Sequence, residues 1–283
     1  MNFKENILFS IHCAVLGDII GFGNGNVEFN FNSIPKIESA RDIDKISSYS
    51  NRHVVDFISK GGFTKIDLSK DIASDDSILL LAVFDALTPY NSESDVDKII
   101  ENIVVKIIEY MENDKKRNER FYGVRTINSI NRIGEGKKWN KFAYSERAGG
   151  CGASIRSMAI GLKFHESSNF DKLLEISIQS SRITHNNPIG YLGGFVSALF
   201  TSYAIQKINP EEWIFKLVKI LHGDDIYHFI KNYVVKEFPN ELDKHTEDFF
   251  NFKDLCDKYV ELRFKDNKFL NLSKNISMRF FEQ

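Results

Sequence analysis

Ser74-Asp75-Asp76-Ser77 stands directly before the apolar run Ile78-Leu79-Leu80-Leu81-Ala82-Val83-Phe84. Two adjacent carboxylates flanked by hydroxyls, at the point where a buried helix must begin, offer hard oxygen donors of the kind that bind Mg²⁺ or Ca²⁺. Neighbouring side chains do not face each other along a regular helix, so both aspartates reach one site only where the chain is still entering its first turn. The alternative is an ordinary helix cap, with Ser74 or Asp75 at the N-cap and a second acid favoured by the helix dipole.

The composition excludes several classes of protein. The 283 residues, 42% of them hydrophobic, are enough for one large domain or two small ones with a sizeable core. The net charge of -2 provides no basic field, so we expect neither nucleic acid nor an anionic membrane as a partner. Cys13, Cys151 and Cys256 are too few and too scattered for a disulfide framework or a zinc site. A reducing, cytoplasmic setting is therefore expected.

The N-terminal segment predicts a buried helix over residues 4 to 17. Its apolar residues recur at helical spacing, and we expect the helix to break at Gly17 and Gly21. The segment resembles a short signal peptide, but His12 interrupts the apolar run and no clean cleavage site follows. No run reaches the roughly 18 uninterrupted apolar residues that span a bilayer, so we expect no membrane segment.

The remaining chain predicts further helices. The helix that starts at residues 74 to 77 should end near Thr88-Pro89, because the residue before a proline leaves helical space. Ser94-Asp95-Val96-Asp97 resembles a capping box before a long apolar helical face. Residues 31 to 73 are polar and weakly periodic, and no convincing strand pair, linker or internal repeat is present. The sequence predicts a single all-α, multi-helix domain over residues 1–283.

Two later stretches combine small and polar residues at the start of a helix. Gly149-Gly150-Cys151-Gly152 opens a helix that carries Arg156, and glycines there permit either close approach to an anionic ligand or tight helix packing. Thr184-His185-Asn186-Asn187-Pro188 precedes a glycine-rich apolar helix, with Pro188 suited to its first turn. For His185 alone, a core histidine at the entrance of a helix is the simpler interpretation.

Five motifs in this order resemble the ADP-ribosylglycohydrolase family, in particular its ADP-ribosylarginine hydrolase branch. The likeness runs from about residue 7 to 215, with weaker agreement to the end of the sequence. The motifs are Gly17-Asp18-Ile19-Ile20-Gly21, Ser74-Asp75-Asp76-Ser77, Arg120-x-x-Gly123-x-x-Thr126, the segment from Gly149 to Leu162, and the segment from Arg182 to Gly193.

The resemblance implies an all-α fold with two Mg²⁺ ions in a cleft that binds ADP-ribose or an ADP-ribosylated protein. It assigns Ser74, Asp75 and Asp76 as metal ligands, with both aspartates also in the catalytic group. Glu28 matches the acid after the family's first loop and would stabilise charge or activate water, although a solvated surface acid is the simpler interpretation of that residue. The substrate-binding residues it implies are Arg120, Gly123, Thr126, Gly149, Gly150, Cys151, Gly152 and His185; Arg156 and His185 would also brace the cleft.

One family feature is missing from the sequence. The family's second metal motif, Gly-Gly-Asp-x-Asp-Ser/Thr, does not occur, and Gly223-Asp224-Asp225 is interpreted as a helix boundary. We therefore expect a C-terminally truncated relative with one half of the metal site. The leading hypothesis is a hydrolase that removes ADP-ribose from modified arginine with Mg²⁺. The alternative is an impaired relative that binds ADP-ribose or a modified protein without turnover.

Overall fold

The computed structural model describes residues 3–25, 54–55, 57–236, 238–265 and 268–269. Helices dominate this part of the chain, and the predicted all-α class is confirmed. A two-residue antiparallel ladder pairs Phe264 with Phe269 and Lys265 with Lys268. The helices are α1 Phe3–Phe22, α2 Gly62–Lys65, α3 Asp75–Leu87, α4 Val96–Asn113, α5 Val124–Gly134, α6 Gly152–Lys163, α7 Phe170–Arg182, α8 Pro188–Ile205, α9 Pro210–Leu221, α10 Asp225–Phe229 and α11 Leu242–Arg263.

The chain divides into two compact units, Met1–Lys137 and Lys138–Gln283. Within the first unit α3 packs on both α4 and α1. Asp95 caps α4 by accepting a hydrogen bond from the amide of Lys98 at 3.0 Å, and the apolar face of α4 is buried as its spacing predicts. The organisation of residues 1–283 as one domain stays a prediction.

The predicted break in the first helix is wrong. α1 continues through Gly17 and Gly21 and ends at Phe22. A glycine inside a helix costs only about 1 kcal/mol relative to alanine, which a 20-residue helix packed against α3 can tolerate.

The second unit is built around α8, which contacts α6, α7, α9 and α11. Asn187 caps α8 through its Oδ1, which accepts from the amide of Ile189 at 2.8 Å, and Pro188 occupies the first turn as predicted. Gly161 lies where a Cβ atom would come within 2.2 Å of the Ala198 carbonyl oxygen, so α6 and α8 meet at backbone distance.

Two helices among the described residues are long and apolar enough to cross a bilayer. The segment Pro188–Ile205 is 56% buried, as a core helix is, whereas Lys4–Gly25, near the N-terminus, is 17% buried. Length and composition are weak evidence for a membrane span, because core helices and signal sequences share them. The expectation of no membrane segment stays a prediction.

Candidate functional site

The first turn of α3 presents the predicted hydroxyl and two carboxylates. Ser74 is the N-cap, and its Oγ accepts a hydrogen bond from the amide of Asp76 at 3.1 Å. Ser74 is 1% exposed and Asp75 9% exposed, while Asp76 is half-buried. The helix cap and the cluster of oxygen donors therefore coincide, since Ser74 caps α3 and both aspartates lie in the first turn of that helix.

Asp18, in α1, fixes this first turn from a distant part of the chain. Its Oδ2 accepts from the Ser74 amide at 2.9 Å and from the Ser77 hydroxyl at 2.5 Å. Its Oδ1 accepts from the Ser74 hydroxyl at 2.6 Å. Asp18 belongs to the motif Gly17-Asp18-Ile19-Ile20-Gly21, but no role for it was predicted from the sequence. The available signal was a carboxylate within an apolar helix, which needs a partner when that face packs.

The loop before α5 holds the Asp75 side chain. The amide of Gly123 donates to Asp75 Oδ2 at 3.1 Å, and the amide of Asp75 donates to the Arg120 carbonyl at 3.2 Å. Phe121, between Arg120 and Gly123 in the chain, has a φ of 56°, in the left-handed region that few residues other than glycine adopt. This turn brings the Gly123 amide back to α3, so residues 120 and 123 reach the site through their backbone.

The Arg120 side chain supports the entry to α3. Its Nη1 donates to the Ala73 carbonyl at 2.5 Å, and its Nε lies 3.0 Å from Oδ2 of Asp114 in a largely buried ion pair. The Tyr122 hydroxyl donates to the same carboxylate at 3.0 Å. Burial acts to raise the pKa of the Asp114 carboxyl, but hydrogen bonds from the Lys116 amide and from these two side chains hold it below its usual range. Binding of substrate by Arg120 stays a prediction.

The chain that leads into Ser74 is also held by the turn Gly23–Gly25, which follows α1. Asn24 Oδ1 accepts from the Ile72 amide at 2.9 Å, and its Nδ2 donates to Asp71 at 3.0 Å. Lys60 forms an ion pair with Asp71 at 2.9 Å. The entry to the site is therefore held from two sides, by Asn24 and by Arg120.

The second unit places the glycine-rich turn against His185. A Cβ atom on Gly152 would lie 3.3 Å from His185 Cε1, and one on Gly150 would lie 3.6 Å from His185 Nε2. One on Gly149 would meet the Ile189 side chain at 3.4 Å. The histidine therefore leaves little space for a side chain at Gly152, whereas the distances at Gly149 and Gly150 are ordinary van der Waals contacts; Cys151 is exposed between them.

Arg156 supports both the glycine-rich turn and the segment before α8 through hydrogen bonds. It is fully buried, and its guanidinium donates to the carbonyl oxygens of Gly152, Ser180 and Ser181 at 3.1 to 3.3 Å. It also donates to the Thr184 hydroxyl at 2.7 Å, which in turn lies 2.7 Å from Nδ1 of His185. The buried cation therefore orients the histidine through one hydroxyl.

The other predicted residues are placed as follows. Thr126 is buried in the first turn of α5, with its Oγ1 3.8 Å from the Cβ position of Gly123. Glu28 lies outside the described residues. Ser74, Asp75, Asp76, Arg120, Gly123 and Thr126 belong to the first unit, and Gly149 to Gly152 and His185 to the second. Within each unit the predicted residues come together, while their roles toward a substrate stay predictions.

The oxygen donors at the start of α3 are of the kind that a hydrated divalent cation prefers. They are hard ligands, and the amide of Gly123 orients one carboxylate in the manner of outer ligands around metal sites. Across the residues that the structure describes, no group of three or more His, Cys, Asp or Glu side chains is arranged to hold a metal ion. A second cation about 4 Å away would need more carboxylate charge than Asp75 and Asp76 supply.

Comparisons with known proteins bear on this geometry. The chain is 38% identical over 224 residues to "ADP-ribosylhydrolase ARH1" of Dictyostelium discoideum, covering 76% of this chain and 52% of that protein. It is 32% identical over 248 residues to "Putative ADP-ribosyl glycohydrolase L444" of Acanthamoeba polyphaga mimivirus, covering 88% of this chain and 45% of that protein. The chain thus spans about half the length of these curated relatives. A family model described as ADP-ribosylglycohydrolase matches residues 1–256, and the chain belongs to that family, as its five motifs predict.

Proposed function

We propose that this protein removes ADP-ribose from modified arginine by hydrolysis of the N-glycosidic bond, with Mg²⁺ held by Ser74, Asp75 and Asp76. Membership of the ADP-ribosylglycohydrolase family supports a hydrolase of ADP-ribosyl groups. The observation that carries the proposal is the first turn of α3, where Asp18 and the Gly123 amide hold the hydroxyl and one carboxylate in fixed positions. The arginine linkage rests on the motifs that resemble the arginine-specific branch.

The reaction breaks the bond between the anomeric carbon of ribose and the guanidine nitrogen, and the nitrogen leaves with the bonding electrons and takes up a proton. The anomeric carbon forms its new bond to the oxygen of water, which loses a proton. Bound Mg²⁺ would supply a template for the ribose hydroxyls and the attacking water. Because the anomeric carbon passes through an oxocarbenium-like state, a nearby carboxylate stabilises the positive charge or accepts a proton from water. Asp75 and Asp76 offer such carboxylates, and Glu28 stays our predicted third.

The glycine-rich turn of the second unit is proposed to bind the diphosphate of ADP-ribose. α6 begins at Gly152, and the exposed Gly149 and Gly150 precede it, so backbone amides can approach an anion without obstruction by side chains. His185 lies against this turn and would limit its movement.

A second candidate function is binding of ADP-ribose or an ADP-ribosylated protein without turnover. It is favoured by the donor set, because among the described residues the start of α3 offers one hydroxyl and two carboxylates, a set that suits a single cation. In that case the predicted residues would bind the ligand and no ADP-ribose would be released.

The test is release of ADP-ribose from ADP-ribosylated arginine with and without Mg²⁺. We expect Mg²⁺-dependent release that falls by at least about 100-fold in Asp75→Asn/Asp76→Asn, because the carboxylates are lost while the cap geometry is kept. The matched control is Asp95→Asn/Asp97→Asn, which changes two acids at the start of α4. Turnover that survives the first double change would refute the proposed site. Saturable binding of ADP-ribose with no release would favour the second candidate.

A further inference from the structure

We infer that Asp18 is a positioning residue that sets the direction of the Ser74 hydroxyl proton and so keeps one Ser74 lone pair available to a cation. The inference rests on the proposed function, since it concerns the cation that Ser74, Asp75 and Asp76 would hold. Asp18 lies 56 residues before Ser74 in the chain and 2.6 Å from its hydroxyl.

Hydrogen bonds occupy the proton and one of the two lone pairs of the Ser74 hydroxyl. A serine hydroxyl has one proton and two lone pairs. The amide of Asp76 can only donate, so it occupies one lone pair of Ser74 Oγ at 3.1 Å. An ionised carboxylate can only accept, so the Ser74 proton is directed to Asp18 Oδ1. One lone pair remains, and no further donor reaches Ser74 Oγ among the residues that the structure describes.

The two oxygens of Asp18 have different partners, which makes the carboxylate specifically suited to this position. Oδ2 accepts from the Ser74 amide and from the Ser77 hydroxyl, while Oδ1 accepts from the Ser74 hydroxyl. An amide N–H cannot reverse its role, so whatever atom faces the Ser74 backbone must be an acceptor.

This asymmetry predicts the effect of an isosteric change. In Asp18→Asn the side-chain oxygen has to face the Ser74 amide, so the NH₂ group faces the Ser74 hydroxyl. Ser74 Oγ then accepts from both the NH₂ group and the Asp76 amide, which uses both of its lone pairs. The Ser74 hydroxyl proton then has to point toward the proposed cation position, where it repels a cation. The change therefore reverses the hydroxyl while the number of hydrogen bonds around the helix cap stays similar.

Ser77→Ala is the matched control. It removes another hydrogen bond to Asp18, at Oδ2, but leaves the contact between Asp18 Oδ1 and the Ser74 hydroxyl unchanged. A role of Asp18 that is only structural would affect both variants alike. A positioning role would affect cation binding in Asp18→Asn alone.

The experiment measures binding of Mn²⁺, as a paramagnetic probe for Mg²⁺, to the full chain by electron paramagnetic resonance. Thermal unfolding is recorded for each variant. We expect Asp18→Asn to weaken Mn²⁺ binding by about 10- to 100-fold, the range found for residues that orient metal ligands, and Ser77→Ala to bind close to wild type. Mg²⁺ should displace Mn²⁺ from the wild-type chain and from Ser77→Ala.

The outcomes separate this inference from the proposed function. The positioning role is overturned if Asp18→Asn binds Mn²⁺ as tightly as wild type, or if Asp18→Asn and Ser77→Ala lose the same Mn²⁺ affinity. Neither result contradicts the proposed metal site. Absence of Mn²⁺ binding to the wild-type chain overturns both. Mn²⁺ binding with no ADP-ribose release would contradict the proposed reaction alone.

Discussion

His245 shows at the scale of one residue how burial controls charge. Its imidazole is 1% exposed, lies between the rings of Tyr144 and Tyr191, and contacts the Tyr191 hydroxyl through Nδ1 at 3.1 Å. Its Nε2 is buried and has no hydrogen-bond partner in the described part of the chain. Burial, followed by the nearby Arg182 charge, lowers the pKa of His245 to about 4. The folded protein therefore keeps this histidine neutral.

The stability of the protein should fall as the pH decreases through this range. The pKa of an unfolded histidine is about 6.5, so below that pH the unfolded state binds a proton that the folded state excludes. The loss begins near pH 6.5, is complete near pH 4, and amounts to about 2 kcal/mol between pH 7 and pH 5. Urea unfolding at these two pH values measures it.

The control separates the imidazole from its hydrogen bond. His245→Phe should reduce the difference in unfolding free energy between pH 7 and pH 5 by about 2 kcal/mol. Tyr191→Phe removes the same hydrogen bond but keeps the imidazole, so most of the pH dependence should remain. Identical pH dependence in wild type and His245→Phe would contradict the assignment.

At the scale of a helix, glycine has opposite effects in two places. Gly161 in α6 faces the Ala198 carbonyl of α8 at a distance that leaves no room for a methyl group. Among the described residues, no heavy atom other than those of its chain neighbours and its own helix backbone lies within 4 Å of a Cβ position on Gly17 in α1. The same substitution should therefore disrupt one helix contact and strengthen the other helix.

Gly161→Ala should destabilise the protein by about 1 to 3 kcal/mol, because α6 and α8 must move apart. Gly17→Ala should stabilise it by up to about 1 kcal/mol, because alanine has the higher helix propensity and no clash occurs. Chemical denaturation measures both. An unchanged free energy of unfolding in Gly161→Ala would contradict the close backbone contact between α6 and α8.

Helix ends with local chemical signals were predictable from the sequence. Thr88-Pro89 ends α3, Asp95 caps α4, and Asn187-Pro188 begins α8, each through contacts within a few residues. The break at Gly17 was not correct, because tertiary packing overrides a weak local preference. The partners of Asp18 could not be predicted either, since the spacing of residues within a helix does not identify a contact 56 residues away.

At the scale of the whole molecule, the boundary between the two units falls in an exposed stretch. Residues 134 to 138 are all exposed, and Gly136 has φ of 91°. Such stretches are preferred sites of proteolysis. The sequence did not predict a linker there, because a turn of glycine and lysine has the same composition as other surface loops.

Brief trypsin treatment should cut after Lys137 or Lys138, and mass spectrometry of the products identifies the bond. Lys137→Gln/Lys138→Gln should abolish this cut, and the thermal unfolding of the double variant is recorded to show that it is folded. Early cuts inside α6, α7 or α8, with this stretch intact, would contradict the division into units.

The contact between Asp18 and the Ser74 amide has a consequence for the order of folding. α3 and α4 can pair early because they are neighbours in sequence, whereas the first turn of α3 is completed only when Asp18, 56 positions before Ser74, is brought to it by the packing of α1. The amide hydrogen of Ser74 should then exchange with solvent deuterium whenever α1 detaches, even while the middle of α3 stays protected. A single backbone proton thus reports whether the distant N-terminal helix is docked.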